Sequence, residues 1–212
     1  MSKLIFKCVV LVFLFGCNYS NDKGFKTNNS SRLIKFDNQS IQTNSSFDVS
    51  SISKANDTLT IITCSKYMYY PFGTIDNAKQ IKASLLKDFI WIDKKYPKQK
   101  NVSYDYQLLK YKSSKLALYF DTFPKIEITS YVTIGIVLDN DVEFINHLSI
   151  GMTKKDFLKL FFDSFPDGLF KRYNVIIFRS CKIYIWQTYN FKNDILNSVK
   201  FESAENVCDL NF

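Results

Sequence analysis

Histidine, glycine and proline are scarce in this chain of 212 residues, which contains one His, six Gly and four Pro. A Ser-His-Asp or Cys-His catalytic site would have to use the single histidine, His147. A lone histidine shortly before a predicted helix is more typical of a loop or a helix cap. The sequence also lacks a glycine-rich phosphate loop, a paired-histidine motif and a calcium loop of clustered Asp residues. It therefore predicts a protein that is not an enzyme and that binds no metal and no diffusible cofactor.

The five cysteines do not follow the spacings of metal or redox sites, because no Cys-x-x-Cys pair exists. Two of them, Cys8 and Cys17, lie close to the N-terminus. The other three, Cys64, Cys181 and Cys208, can form at most one disulfide. The sequence does not select among the three possible pairs.

The first residues have the layout of a secretory signal. Lys3 and Lys7 supply positive charge, and an unbroken apolar run follows at Cys8–Phe15. Such a run is long enough for a signal peptide, whereas a membrane-spanning helix needs about 20 apolar residues. The segment is therefore expected to direct export and not to remain as a transmembrane anchor.

The sequence Leu14-Phe15-Gly16-Cys17 resembles the lipobox of bacterial lipoproteins. The resemblance implies that residues 1–16 are removed and that Cys17 carries a diacylglyceryl group and an acyl chain. Such a protein is held on the periplasmic face of a membrane, or at the outer membrane, within the cell envelope. Removal of Lys3 and Lys7 with the signal leaves 26 Lys and Arg against 20 Asp and Glu and lowers the formal net charge from +8 to +6, which could favour anionic headgroups or an acidic protein, or simply reflect composition. Nucleic acid is not an expected partner of an exported protein.

Residues 17–57 are rich in Asn, Ser, Thr and Asp and carry few apolar side chains. Such a segment buries too little apolar surface to offset its ordering entropy, so it is predicted to be a disordered tether in which only Arg32–Phe36 could form a short strand. Residues 58–212 are predicted to form the folded part. Its strand-like runs are Leu59–Thr63, Val102–Tyr111, Lys115–Asp121, Ile126–Leu138, Tyr173–Arg179, Lys182–Tyr189 and Leu196–Ser203.

Within Ile126–Leu138, apolar residues recur at every second position and are expected to share one face of a half-buried strand. These residues are Ile126, Ile128, Val132, Ile134, Ile136 and Leu138.

Two helices are predicted from helical spacing of apolar residues. The first begins after Thr74 and extends to Phe89. The second begins after Thr153, whose side chain can form a capping box with Asp156. Met152 and Phe157 occupy the positions of a hydrophobic staple around that cap.

The two halves of the folded part look alike. Leu108–Tyr119 aligns without a gap on Val175–Trp186, and a predicted helix precedes each hairpin. The alternative is that apolar patterning alone aligns any two hairpins this well. The predicted fold class is α+β, with two helix-plus-antiparallel-sheet units in tandem at about residues 58–140 and 141–212.

The stretch Ile150–Phe157, which reads Ile-Gly-Met-Thr-Lys-Lys-Asp-Phe, resembles a helix start found in small lipoproteins of outer-membrane assembly. It is also similar to each repeat of the β-lactamase-inhibitor-protein fold. The resemblance implies a non-catalytic module that recognises other proteins on an exposed sheet face. It carries over no particular binding residue.

Alternating aromatic side chains could form a binding platform on the outer face of the sheet, or half of them could belong to the core. The candidates are Tyr104, Tyr106, Tyr119, Tyr131, Tyr184, Trp186 and Tyr189. The predicted function is a membrane-anchored, non-catalytic protein-binding or assembly lipoprotein. The alternatives are an immunity or inhibitor protein against a secreted toxin or hydrolase, and a glycan-binding lipoprotein.

Overall fold

The computed structural model describes residues 31–92, 105–121 and 128–204. Strands dominate this part of the chain, which contains twelve strands and two α-helices of six and four residues. The strands are β1 (Leu33–Phe36), β2 (Gln39–Thr43), β3 (Val49–Ala55), β4 (Thr58–Thr63), β5 (Ile90–Trp91), β6 (Asp105–Tyr111), β7 (Ser114–Phe120), β8 (Ser130–Val137), β9 (Phe162–Ser164), β10 (Val175–Ser180), β11 (Ile185–Lys192) and β12 (Ile195–Ser203). The helices are α1 (Lys154–Lys159) and α2 (Asp167–Phe170), with 3-10 turns at Lys66–Met68, Ala78–Ala83 and Ile145–His147.

A nine-stranded sheet in the order β3-β4-β10-β11-β12-β8-β7-β6-β5 forms the main layer, and a smaller sheet has the order β1-β2-β9. Two antiparallel meanders, β6-β7-β8 and β10-β11-β12, meet through their last strands. β4 then adds to β10 in parallel, whereas the other pairings are antiparallel. These pairings place strands from both predicted units in one continuous sheet.

The predicted α+β class is wrong, because the fold is mainly β and does not consist of two helix-plus-sheet units in tandem. The predicted helix from Thr74 to Phe89 is replaced by a six-residue 3-10 turn and the short strand β5. The hydroxyl of Ser84 donates to the Ile81 carbonyl at 2.7 Å and accepts from the Leu86 amide at 3.1 Å. A serine that bonds its own backbone in this way competes with helix propagation, which is why helical spacing alone was misleading here.

The predicted tether is not disordered over residues 31–57. The short strand offered at Arg32–Phe36 is present as β1, but β2 and β3 also lie there. Its few apolar residues are enough, because Ile41, Phe47 and Val49 are almost completely buried against the existing core. Strand pairing then satisfies the polar backbone of the segment. Residues 1–30, which include the predicted signal and Cys17, lie outside the described residues.

The core lies on one face of the large sheet and is rich in aromatic side chains. Phe157 of α1 contacts Tyr189 of β11 with ring centroids 4.7 Å apart. Phe47, which leads into β3, contacts Phe161 at 4.7 Å and Phe178 of β10 at 5.0 Å. The helices, the 3-10 turn at Lys66–Met68 and the smaller sheet therefore cover this face.

A β-bulge in β8 reverses the side-chain alternation that the sequence predicts. Val132 pairs with Leu118, but the next pair is Ile134 with Ala117, so Thr133 is the extra residue. Its hydroxyl is buried and donates to the Ala117 carbonyl at 3.1 Å. Val132 thus enters the main core, whereas Ile134 and its period-two neighbour Ile136 lie on the opposite face, and the prediction of one shared face is wrong.

Candidate functional site

One face of the nine-stranded sheet lies opposite the core, and we call it the open face. A transverse row of nearest cross-strand partners crosses all nine strands on this face. From β3 to β5 the row is Ser53, Thr60, Ile177, Thr188, Lys200, Ile136, Lys115, Lys110 and Ile90. Direct cross-strand partners point to the same face of a sheet, so this row forms one continuous surface.

The centre of the open face is aliphatic and only half-buried. Ile62, Ile177, Ile134 and Ile136 all retain partial exposure, whereas Ile176 and Phe178 on the opposite face of β10 are at most 1% exposed. The main core therefore belongs to the other face. On the open face, Leu108 and Ala117 are buried in a second, smaller cluster with Ile134, and the β-branched residues around that cluster remain partly exposed. Such a surface can bind a partner through apolar contacts, because aliphatic side chains offer neither charge nor hydrogen bonds.

Trp186 is held in a fixed orientation on the open face. Its indole Nε1 donates to Oε2 of Glu202 at 3.2 Å, and its Cα partner on the other side is Arg179 of β10. Glu202 also accepts from Lys200 Nζ at 2.8 Å. The carboxylate of Glu202 is therefore already engaged by two donors.

The open face has an unbalanced charge toward β5. Lys110 of β6 lies directly opposite Lys115 of β7, and the next partner of Lys115 is the apolar Ile136. Within the described part of the chain, neither ammonium group forms an ion pair. Like charges at directly opposed strand positions repel each other, so this pair is unfavourable in the unbound protein.

The predicted aromatic platform is divided by the structure. Tyr106, Tyr119 and Tyr131 form a cross-strand row with ring centroids 5.3 Å apart at each step, but Tyr131 is only 8% exposed. Tyr184 is 75% exposed in the turn before β11. Tyr104 lies outside the described residues.

Tyr189 does not belong to any binding face, because it is 0% exposed in the core. The strand β11 alternates between buried odd-numbered and half-buried even-numbered residues. Trp186 and Tyr189 are three positions apart and therefore point to opposite faces. The three-residue spacing of Trp186 and Tyr189 could have been used in the sequence to separate them. Sequence reasoning missed the lysines of the open face altogether.

A buried hydrogen-bond chain explains why Tyr189 is in the core. Its hydroxyl donates to Oε1 of Gln187, and Gln187 Nε2 donates to the Met68 carbonyl at 3.1 Å. The hydroxyl oxygens of Tyr189 and Tyr67 are 3.1 Å apart, so Tyr67 must donate, since each phenol has one proton. Burial raises the pKa of both phenols, which keeps them neutral and fits a structural role.

A disulfide joins Cys64 to Cys181, with Cα atoms 5.2 Å apart. The two cysteines immediately follow β4 and β10, which are parallel neighbours and therefore end side by side. The third candidate, Cys208, lies outside the described residues. The disulfide thus fixes the carboxyl ends of two strands that are distant in sequence.

The single histidine lies on the surface, where 91% of its side chain is exposed. His147 Nδ1 is 2.8 Å from Oε1 of Glu143, four residues earlier.

Among the described residues, no group of three or more His, Cys, Asp and Glu side chains is arranged to hold a metal ion. No helix in residues 31–92, 105–121 and 128–204 combines the length and hydropathy needed to cross a bilayer.

A cleft of about 780 Å³ opens beside the 3-10 turn at Ala78–Ala83 and contains several carboxylates. Asp76 accepts from the Thr129 hydroxyl at 2.8 Å. Asp141 accepts from Tyr111 at 2.6 Å and pairs with Lys112, whose hydrogen bond holds the pKa of Asp141 below its usual value. These carboxylates stabilise the chain itself, so the open face is the stronger candidate site.

No protein-family model matches this chain, and neither a curated protein nor a solved structure matches it.

Proposed function

We propose that this chain is an exported lipoprotein, anchored to a membrane through Cys17, that binds another protein on its open face and catalyses no reaction. The observation that carries the proposal is the transverse row of partly exposed side chains across all nine strands. Strands about 4.8 Å apart give this row a length of about 38 Å. A standard interface buries about 800 Å² on each partner, and a surface of this length can supply it.

The exported location is supported by the disulfide between Cys64 and Cys181. Disulfides form and persist in oxidising compartments and are rare in the cytosol. Membrane attachment itself depends on the lipobox-like sequence that ends at Cys17. An immunity or inhibitor protein would use the same kind of surface. The glycan-binding alternative is less well supported, since two of its candidate aromatics, Tyr131 and Tyr189, are buried.

The binding proposal is tested by a photo-crosslinking amino acid at Thr188, near the centre of the transverse row, in cells that produce the full chain. The matched control carries the same group at Lys155, which is exposed on α1. We expect one defined protein adduct from position 188 and none from position 155. The Ile177→Asp substitution beside Thr188 should remove the adduct, because it adds a charge to the aliphatic centre. Absence of an adduct, or the same adducts from both positions, contradicts the proposal.

The anchor has a separate test. In cells labelled with a radioactive or clickable fatty acid, Cys17→Ser should abolish labelling and leave the precursor uncleaved. A Cys8→Ser variant is the control, since that cysteine lies in the segment expected to be removed. Continued labelling of Cys17→Ser would exclude this residue as the lipid attachment site.

A further inference from the structure

We infer that the partner of the open face is an acidic protein segment, whose carboxylates meet Lys110 and Lys115 while its apolar side chains cover the aliphatic centre. The inference rests on the proposed function and names the chemistry of the partner at that same face. Three features of the face support it: the lysine pair, the charge around the centre and the apolar residues between the charged groups.

Lys110 and Lys115 have no counter-charge within residues 31–92, 105–121 and 128–204. They are nearest cross-strand partners, so their Cβ atoms are about 5 Å apart on the same face. Two other lysines of the same sheet do pair with a carboxylate: Lys54 with Asp37 at 2.7 Å and Lys200 with Glu202 at 2.8 Å. The Lys110–Lys115 pair has no such carboxylate among the described residues. A bound carboxylate between the two ammonium groups would supply the missing counter-charge.

The rest of the open face does not compensate this charge. Arg179, at the β10 end of the centre, is exposed and forms no ion pair among the described residues. The carboxylate of Glu202 is occupied by Lys200 and Trp186. The open face therefore presents cations on both sides of its centre, and its complement is an acidic surface.

The apolar residues between the cations indicate the class of partner. Ile136 separates Lys115 from Lys200, and Ile177 lies further along the same row. A uniformly charged polyanion would leave these half-buried aliphatic side chains against charged groups. A protein segment that combines carboxylates with apolar side chains satisfies both parts of the face.

The experiment uses the full chain in its membrane, with the photo-crosslinking group at Thr188. Lys115→Glu is expected to lower the yield of the protein adduct by about tenfold or more. Lys79→Glu, the matched control, makes the same charge change at an exposed site on the 3-10 turn and should lower it less than about twofold. Sequencing of the crosslinked peptide should show an excess of Asp and Glu around the attachment point.

The outcomes separate the two proposals. An adduct that forms normally in Lys115→Glu, or a crosslinked peptide without an acidic excess, overturns the acidic partner but leaves protein binding in place. An adduct to phospholipid in place of protein overturns it too, because the face would then contact a membrane. If the unsubstituted chain gives no adduct at all, the proposed function itself fails.

The midpoint of thermal unfolding tests whether Lys115→Glu lowers the adduct yield only by destabilising the fold. Lys115→Glu places a carboxylate opposite Lys110 and should raise the midpoint of thermal unfolding while it weakens binding. A purely structural role for Lys115 predicts that stability and adduct yield fall together. A lowered midpoint would show that the lysine pair is not repulsive in the unbound protein, and would remove the basis of the inference.

Discussion

Lys154 and Asp194 form an ion pair in which the cation is buried and the anion is not. The Lys154 Nζ lies 2.6 Å from Asp194 Oδ1, with 3% and 62% of the two side chains exposed. The backbone amide of Lys154 also donates to the Asp194 carbonyl at 2.7 Å, and its Nζ lies 5.6 Å from the ring centroid of Phe191. The start of α1 is thereby fixed to the turn between β11 and β12.

Asp194→Asn should lower the free energy of unfolding by about 1–3 kcal/mol, because it removes the counter-charge of a buried ammonium group. Asn tolerates the left-handed backbone at this position, where φ is 62°. Urea unfolding measures the change. The control is Lys200→Met, which breaks an exposed pair with Glu202 and should change the stability by less than about 1 kcal/mol. Equal effects of the two substitutions would show that burial of Lys154 does not matter.

Replacing both Cys64 and Cys181 by Ser should lower the free energy of unfolding by about 2–5 kcal/mol. The disulfide spans 117 residues of sequence, and a long closed loop restricts the unfolded chain strongly. Thermal unfolding with and without a reducing agent gives the measurement. The unsubstituted chain should be destabilised by reduction, whereas the double Ser variant should not respond. A reductant effect that persists in the double variant would indicate a different disulfide.

Stability should fall at alkaline pH through the two buried phenols. Burial raises the pKa of Tyr67 and Tyr189 in the folded chain, while in the unfolded chain each has a pKa near 10. The folded chain therefore holds protons that the unfolded chain releases, so this contribution is complete below about pH 10 and is lost as the pH rises above it.

Between pH 10 and 11 we expect a loss of about 1 kcal/mol for each of these tyrosines. Denaturant unfolding at several pH values measures it, and a Tyr67→Phe, Tyr189→Phe double variant should show a smaller decline. Tyr184→Phe is the control, since that side chain is 75% exposed. If stability declines equally in the unsubstituted chain, the double variant and Tyr184→Phe, the loss comes from groups other than Tyr67 and Tyr189.

Gly135→Ala should destabilise the sheet by about 1–3 kcal/mol. A Cβ at this position would lie 2.5 Å from the Lys115 carbonyl oxygen and 2.9 Å from the Leu116 Cα, both of which belong to backbone that cannot move alone. Gly168→Ala is the control, because a Cβ added at that position in α2 would have nothing within 4 Å. Urea unfolding of the two variants should differ clearly, and a tolerated Gly135→Ala would mean that β7 and β8 can separate without loss.

Local backbone chemistry was predictable from the sequence. Thr153 is the N-cap of α1, as predicted, and its hydroxyl oxygen accepts from the Asp156 amide at 3.1 Å. Each run predicted as a strand from Leu59 to Ser203 overlaps an observed strand, namely β4, β6, β7, β8, β10, β11 and β12. Short-range preferences of β-branched residues and capping side chains were sufficient for these elements.

The arrangement of the strands was not predictable in the same way. The parallel pairing of β4 with β10 and the burial of Phe47 depend on contacts more than 100 residues apart. The bulge at Thr133 shifts side chains between faces, although neither Thr133 nor its neighbours Val132 and Ile134 are glycine or proline. The Lys110–Lys115 pair follows only from the register of a hairpin, so the charge of the open face could not be found by composition.

The pairing of β4 with β10 has a consequence for the order in which the chain can assemble. β4 can pair with β3 as a local hairpin, but its other neighbour follows 117 residues later in the chain. Until β10 has docked, the strand Thr58–Thr63 has one unsatisfied backbone edge and is open to mispairing with other chains. The large sheet is thus completed late, and protection of this early strand by a chaperone is expected to govern how much of the protein reaches its folded state.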